Sequence, residues 1–336
     1  MQTDFDAIIV GAGPAGSSAA ILLALAGWSV ALVEKQCFPR RKVCGECIAA
    51  SNLPLLDALG IGAAFDAAAG AELRTVMFMH GERQFEADLP AAPHAKHRWG
   101  KALGRETLDT LLLERARSVG VQVLQPWAVE SINGVAGDWR FAIRATDSQR
   151  SMHLRGSVAI AAYGSWELPP SGHPRHRTQR AHRKGSDLLA FKANFRHANL
   201  TDGVLPILSF NGGYGGMVAA ACGLTTVACC VRRDQLAAAR RTSPGLRAGD
   251  VVESMLKRAC AGARIALQPA AREGAWLAAG PLIPGIRLRA DDDMFYIGNA
   301  AGEAHPIIGE GMSMALQSAW LLCALLIDRE QRKKIP

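Results

Sequence analysis

The chain has 336 residues, of which 49% are hydrophobic and 20% charged, and it carries a formal net charge of +8. This length allows one large or two modest domains, and the composition excludes a disordered tail, a collagen-like fibre and a small disulfide-stapled scaffold. Five positive charges lie between His173 and Lys184. We interpret this basic run as a solvated loop, with binding of an anionic partner or a membrane surface as the alternative. It lacks interleaved aromatic residues, which argues against nucleic-acid binding.

The N-terminal segment carries acidic residues where a secretory signal carries basic ones, which predicts a cytoplasmic protein. Two apolar runs, 19–26 and 312–327, are shorter than the ~18 residues that a membrane span requires. Basic residues follow the second run, so contact with the inner face of a membrane is the alternative to a buried core helix. Eight scattered cysteines predict reduced thiols rather than a disulfide framework.

The opening of the chain predicts a strand, a helix and a second strand. The first strand covers 6–10 and ends at glycine, the helix begins at Pro14 and is capped by Gly27, and the second strand covers 30–33. A unit of this kind closes a right-handed crossover and begins a parallel sheet.

The remaining elements follow from shorter patterns. Apolar residues at helical spacing predict helices over 107–119 and 250–261, and a long apolar helix from Gly311 onward. Alternation predicts two antiparallel strands over 139–146 and 152–158. Further strands are predicted over 121–124, 191–195, 205–210, 225–233 and 294–298.

Gly11, Gly13 and Gly16 form a G-x-G-x-x-G motif between the first predicted strand and the first helix. In such a motif the first glycine permits a tight turn, the second allows the backbone to approach a pyrophosphate, and the third allows helix and strand to pack closely. Glu34 lies 18 residues beyond Gly16 at the end of the second strand, where a carboxylate can bind the ribose of a dinucleotide. The start of the chain therefore predicts dinucleotide binding.

A second glycine-rich turn, Gly309 to Gly311, precedes the C-terminal helix and follows a strand that ends at Gly298. The start of this helix provides further free N–H groups and the positive end of a helix dipole, suited to a second phosphate or a flavin carbonyl. A plain nicotinamide dehydrogenase does not need this second site, so the pair of turns favours FAD.

The sequence resembles the superfamily of FAD-dependent hydroxylases and geranylgeranyl reductases, and is most similar to the geranylgeranyl-reductase branch. The resemblance lies in GAGPAG with Glu34, FPRRKVCGE at 38–46, GRETLDTLLLERA at 104–116 and IGNAAGEAHPIIGEGM at 297–312. It implies an α/β fold: a Rossmann-like FAD-binding domain with a parallel sheet, and an inserted, mainly antiparallel β-sheet substrate domain. The predicted FAD-binding domain comprises 1–70, 98–165 and 280–336, and the substrate domain comprises 71–97 and 166–279.

The resemblance also assigns residues to the ADP half of FAD. By this similarity Ala15 and Glu34 contact the ADP portion, Arg105 contacts the pyrophosphate, and Val129 contacts the adenine through its backbone.

For the flavin half, the resemblance places Cys44 and Gly45 near the ring, Gly311 and Met312 at its carbonyl edge, and the pair 298–299 at the ribityl or phosphate end. The full set of candidate FAD-binding residues is Gly11, Gly13, Pro14, Ala15, Gly16, Glu34, Lys35, Cys44, Gly45, Arg105, Val129, Gly298, Asn299, Gly311 and Met312.

Three features depart from the superfamily pattern. Asn299 replaces the usual aspartate, and an amide can still hydrogen-bond a hydroxyl but lacks its charge. Tyr163 precedes Gly164 where many NADPH-using hydroxylases have an Asp-Gly pair, which weakens the inference that NADPH binds in the manner of those enzymes. The W-x-W-x-I-P signature of flavin halogenases is absent, which disfavours halogenation.

Cys44 and Cys47 form a C-x-x-C pair that resembles, by position, the cysteine pair of FAD-linked disulfide reductases. Those enzymes space their pair as C-x4-C and carry a second nucleotide motif, both absent here, so we interpret the segment as a flavin-facing turn.

No metal site is predicted. Tyr214, His305 and Cys44 are the candidate catalytic residues, although Tyr214 can equally cap a glycine-rich hairpin and His305 is more readily a structural hydrogen-bonding group.

The leading hypothesis is an FAD-dependent oxidoreductase with NADPH or NADH as electron donor. The middle of the chain is apolar, which predicts a hydrophobic, lipid- or polyketide-like small molecule as substrate. The reaction is either hydroxylation by a monooxygenase or reduction of a carbon–carbon double bond. The alternatives are a flavin-binding protein without catalysis of its own and a flavin-linked dithiol redox protein that uses Cys44 and Cys47.

Overall fold

The computed structural model describes residues 3–94, 96–165, 184–220, 223–287 and 293–333. Apart from Lys184, the predicted basic run lies outside the described residues. The strands are β1 (Asp4–Val10), β2 (Val30–Val33), β3 (Cys47–Ile48), β4 (Thr75–His80), β5 (Arg83–Asp88), β6 (Lys101–Ala102), β7 (Gln122–Leu124), β8 (Trp127–Val135), β9 (Asp138–Ala145), β10 (Ser151–Ala161), β11 (Leu188–Arg196), β12 (Val204–Phe210), β13 (Gly213–Ala220), β14 (Leu224–Arg232), β15 (Ala271–Ala279), β16 (Gly285–Ile286), β17 (Phe295–Tyr296) and β18 (Gly302–Glu303).

Helices cover parts of both large sheets. They are α1 (Pro14–Leu25), α2 (Leu53–Ala58), α3 (Gly62–Ala68), α4 (Arg105–Ser118), α5 (Arg233–Arg241), α6 (Ala248–Ala259), α7 (Ala261–Ala266) and α8 (Gly311–Lys333).

The first large sheet has the strand order β7-β2-β1-β10-β9-β8, and β17 also pairs with β10. The strands β7, β2, β1, β10 and β17 run parallel, whereas β9 and β8 continue the sheet in antiparallel pairing. Helices α1, α4 and α8 contribute Ile21, Leu112 and Leu316 to the apolar core packed against this sheet. The carboxyl ends of β1 and β2 are therefore brought side by side, as a dinucleotide site requires.

The second large sheet has the order β15-β11-β14-β13-β12-β4-β5, and its pairs are antiparallel except for β12 with β4. Leu236 of α5 and Val251, Val252 and Leu256 of α6 pack in a separate core with side chains of β11 and β14. These two sheets confirm the predicted α/β fold with a parallel sheet and an added, mainly antiparallel sheet.

Two local expectations differ from the structure. The predicted antiparallel strand over 152–158 is part of the longer β10, which pairs antiparallel with β9 but parallel with β1. The hairpin of β4 and β5 was not predicted, because β5 (RQFEAD) has one large apolar residue among charged and polar ones and its side chains are all exposed.

Helix α8 is longer than the apolar run that predicted it. Its segment Gly311–Gln331 is long enough to cross a membrane and contains an 18-residue stretch with a mean hydropathy of 1.4, which the core helix of a globular protein can also have. The apolar run 312–327 is shorter than a span, as expected, but the helix that contains it is long enough, because it continues into the polar residues that follow. One face of α8, including Leu316, Ala319 and Cys323, is buried in the apolar core that packs against the first sheet.

Candidate functional site

A cavity of about 700 Å³ lies between the carboxyl ends of the parallel strands and the inner face of the second sheet. The first residues of α1, α4 and α8 all line it, represented by Pro14, Arg105 and Gly311. The first N–H groups of a helix have no partner within that helix and carry partial positive charge. This end of the cavity is therefore suited to an anionic ligand.

The glycine turn between β1 and α1 has a different constraint at each glycine. Gly11 has a φ of +101°, which an L side chain rarely adopts. A Cβ on Gly16 would lie 1.9 Å from the carbonyl oxygen of Gly11, so this glycine is required by packing and does not line the cavity. A Cβ on Gly13 would meet only the Nη2 atoms of Arg40 and Arg105, both at 3.8 Å. The absence of a side chain at Gly13 thus leaves space in which a ligand phosphate can approach the protein backbone.

Glu34 is held at the end of β2 by two backbone amides. The Ala12 N–H donates to Oε2 and the Gln36 N–H donates to Oε1, both at 2.9 Å, and the side chain is 5% exposed. The residue lines the cavity. These bonds fix the carboxylate beside the glycine turn. Each oxygen retains a lone pair that can accept a hydrogen bond from a ligand hydroxyl.

Two arginines lie over the glycine turn. Arg105 donates to both carboxylate oxygens of Asp109, at 2.7 and 2.8 Å, and this fixes its guanidinium. Burial alone would lower the pKa of Arg105, but Asp109 raises it above its usual value, so the charge is kept. Arg40 lies 3.3 Å from Glu34 and 3.7 Å from Asp109 through Nη2. The sequence interpretation missed Arg40, although it stands inside the FPRRKVCGE motif.

The turn from Cys44 to Cys47 forms another part of the cavity wall. A Cβ on Gly45 would meet no protein atom within 4 Å, so the wall is open at this residue. Burial raises the pKa of Cys47 to about 12, with smaller contributions from Cys44 and Glu46. The Cys47 thiol is therefore protonated at neutral pH and a poor nucleophile, which argues against the dithiol alternative.

Residues of the C-terminal block, including Gly298, Asn299 and Gly311, form a further part of the cavity wall. The 3₁₀ turn Gly298–Ala300 follows β17, and the Asn299 Nδ2 atom donates to the Ser165 hydroxyl at 3.0 Å. Gly298 has a φ of +57°, and a Cβ there would lie 2.9 Å from the Cβ of Ala15. The close contact joins this turn to the start of α1, so both nucleotide motifs border one cavity.

The second sheet supplies the apolar wall. In the sheet register Tyr214 pairs with Cys230 and Gly216 pairs with Ala228, and all four line the cavity together with Leu205, Ile207 and Val218. The Tyr214 hydroxyl is buried, and this burial raises its pKa above the usual value. Its ring stacks on His305 with the centroids 6.1 Å apart. His305 does not line the cavity, and its Nδ1 atom accepts a hydrogen bond from the Ile307 N–H at 3.3 Å.

The structure brings most of the sequence-predicted residues to this one cavity. Gly16 and His305 lie outside its lining, and Glu46 lines it although the sequence interpretation gave it no role. The predicted residues that line the cavity are Gly11, Gly13, Pro14, Ala15, Glu34, Lys35, Cys44, Gly45, Arg105, Val129, Tyr214, Gly298, Asn299, Gly311 and Met312.

These features fit FAD. An extended dinucleotide requires an open approach at Gly13, cationic groups beside it, a carboxylate for the ribose and a second helix start, and all four line the cavity. The cavity volume lies in the range of small-molecule and cofactor pockets, about 300–1,000 Å³.

Known proteins of similar sequence include enzymes of several kinds. A tryptophan 2-halogenase of Chondromyces crocatus is 36% identical over 187 residues, which cover 48% of this chain and 35% of the relative. A menaquinone reductase of Mycobacterium tuberculosis is 34% identical over 120 residues, covering 35% of this chain and 28% of the relative. In each case the matching region spans about a third of the relative's length or less.

Solved structures agree in fold along the whole chain. The myxobacterial chondrochloren halogenase CndH superposes with a TM-score of 0.80 and 20% identity, covering 100% of this chain and 77% of that one. A geranylgeranyl bacteriochlorophyll reductase-like protein of Thermoplasma acidophilum gives a TM-score of 0.77 at 16% identity, covering 98% and 80%. Residues 4–333 match the FAD binding domain family, and the chain belongs to that family.

Proposed function

We propose that the protein is an FAD-dependent oxidoreductase whose substrate is an apolar small molecule bound between the flavin end of the cofactor site and the second sheet. The observation that carries this proposal is the single cavity, which extends from the helix starts at Pro14 and Gly311 to Leu205, Ile207 and Val218 of the second sheet. A cofactor site and an apolar compartment in one cavity allow an apolar substrate to bind next to the cofactor.

Each part of the cavity wall has its own task in this proposal. FAD, when bound, supplies the two-electron redox chemistry. Arg40 and Arg105, with the start of α1, hold the phosphates, and Glu34 binds the adenosine ribose. Gly45 and Gly311 give the flavin ring room. The apolar side chains of β12 and β13 exclude water and orient the substrate.

The relatives support redox chemistry but differ in reaction. One is named a menaquinone reductase, and others are named halogenases. The experiment starts from purified protein with its visible absorbance recorded. NADPH or NADH is added without oxygen, and the reduced protein is then mixed with oxygen or with the quinone menadione. Reoxidation by menadione faster than by oxygen supports a reductase, and substrate-dependent oxygen consumption supports a monooxygenase. FAD that is reduced neither by NADPH or NADH nor by a dithionite-linked donor would overturn the proposal in favour of a flavin-binding protein without catalysis of its own.

Halogenation is a second candidate, favoured by the 36% identity to the tryptophan 2-halogenase. The absence of W-x-W-x-I-P from the sequence argues against it. Repeating the oxygen reaction with bromide and an electron-rich aromatic probe such as phenol separates the two. A brominated product identified by mass spectrometry supports halogenation. Recovery of phenol without bromination shows that the protein does not halogenate this probe.

A further inference from the structure

Glu46 adopts an unusual backbone conformation in the cavity wall. Its φ is +64°, in the left-handed region that L side chains rarely adopt, and the residue is 1% exposed. It lies in the turn that carries Cys44 and Gly45, which the family resemblance places near the flavin ring. Backbone conformations of this kind persist only where surrounding contacts impose them, and they are concentrated at functional sites.

Three donors from three different elements hold the Glu46 carboxylate. The Arg105 N–H at the start of α4 donates to Oε1 at 2.8 Å, and the Lys192 ammonium of β11 donates to the same oxygen. The Thr226 hydroxyl of β14 donates to Oε2. The side chains of Glu46 and Lys192 are both 0% exposed. The pair is therefore a buried ion pair in which each charge depends on the other.

Lys192 belongs to the face of the second sheet that forms the substrate side of the cavity. In the sheet register it pairs with Ala228, which lines the cavity. Ala190, two residues earlier on the same face of β11, lines the cavity as well. The ion pair thus links the turn at Cys44 and Gly45 directly to the sheet that forms the apolar wall.

We propose that Lys192 is a positioning residue which, through Glu46, fixes the flavin-facing turn relative to the substrate-side sheet. The inference rests on the proposed function, since it assigns the two sides of the cavity to flavin and substrate. In this arrangement the ion pair holds Glu46 in its left-handed conformation and keeps Gly45 directed towards the cofactor. It also fixes the distance between the apolar wall and the flavin ring.

The test compares three variants by FAD affinity, by the visible circular dichroism of bound FAD, and by the melting temperature of the FAD-free protein. The variants are Lys192→Met, the double variant Glu46→Gln with Lys192→Met, and Lys257→Met as the matched control. Lys257 also pairs with a glutamate, Glu253 at 2.8 Å, but lies on α6 and does not line the cavity. The control is expected to retain the affinity and spectrum of the parent.

Lys192→Met leaves a buried carboxylate without its counter-charge, so both the melting temperature and the FAD affinity are expected to fall, the affinity at least tenfold. The double variant removes both charges, so its melting temperature is expected to recover. Its flavin spectrum is expected to remain altered, because the link to β11 is still missing. A double variant that regains the parent's affinity and spectrum would reduce Lys192 to a stabilising role and overturn the inference.

If the parent protein binds FAD but oxidises or reduces none of the probes, this result contradicts the proposed function but not the positioning role of Lys192. The positioning role is then still decided by the flavin spectra. If Lys192→Met does not fold, the double variant alone decides the question, because it contains no uncompensated charge.

Discussion

The Nη2 atom of Arg40 lies 3.3 Å from Oε2 of Glu34, so the loop that follows β2 folds back onto the carboxylate at the end of that strand. This contact places a cation between the predicted ribose site and the glycine turn. Arg40 is also 3.7 Å from Asp109, which in turn binds Arg105. The loop is therefore part of the candidate phosphate site and does more than connect two elements.

Replacing Arg40 by alanine is expected to weaken FAD binding about 10- to 100-fold, because hydrogen bonds to a charged group contribute ~1.5–3 kcal/mol. The neighbouring Arg41 is the matched control, since it pairs with Glu106 at 3.4 Å and does not line the cavity. Fluorescence titration with FAD measures both variants. Equal losses for Arg40→Ala and Arg41→Ala would show that general charge, rather than this contact, governs binding.

Gly13→Val is expected to abolish the yellow colour of the purified protein and to leave its fold intact. The backbone of Gly13 is extended, with φ −71° and ψ −177°, and a Cβ there meets protein atoms only at ordinary contact distance. The added side chain therefore occupies ligand space rather than protein space. Melting temperature and flavin absorbance are measured together.

Gly16→Val provides the contrast, because its Cβ overlaps the backbone of Gly11 and should lower the melting temperature sharply. A folded Gly13→Val protein that retains one FAD per chain would contradict the assignment of the phosphate site.

Glu34→Gln is expected to weaken FAD binding about tenfold while FMN binding is unchanged, since FMN has no adenosine ribose to contact. Glutamine keeps one oxygen that can accept from the backbone N–H of Ala12 or Gln36, but its NH2 group cannot accept from the other, so the melting temperature is measured to check that the turn stays in place. Isothermal titration with each flavin checks this prediction. Loss of both affinities to the same extent would mean that Glu34 supports the turn and not the ribose.

In the variants Cys44→Ser and Cys47→Ser, bound FAD is expected to be reduced as in the parent protein. Because the pKa of Cys47 is raised to about 12, its thiol stays protonated at neutral pH, and labelling by iodoacetamide should increase only as the pH approaches that value. Cys37, which is exposed, serves as the internal control for reagent activity. A thiolate-to-flavin charge-transfer band at pH 7 that disappears in either variant would restore the dithiol alternative.

Local sequence patterns were sufficient to predict the start of the parallel sheet and the two nucleotide motifs, whereas the added antiparallel sheet domain was implied by the family resemblance. The glycines at 11, 13 and 16 act through backbone geometry, which depends only on near neighbours, and the observed φ of Gly11 agrees with a tight turn. The apolar strand over 30–33 was predicted at its observed bounds because every one of its residues is buried.

Contacts between distant parts of the chain could not be predicted in the same way. Lys192 in FKANF reads as one polar residue in an apolar strand, and its partner Glu46 lies 146 positions earlier. Arg40 reads as one of several surface cations in FPRRK, yet folding places it between Glu34 and Asp109.

The nucleotide-binding turns are encoded locally, because glycine spacing and strand-end acids act over short distances. Which charges meet, and which surface lines the cavity, depends on how the two sheets pack. A buried charge is stable only with a partner, and Glu46 obtains its partner Lys192 only because the second sheet packs over the turn that carries Glu46.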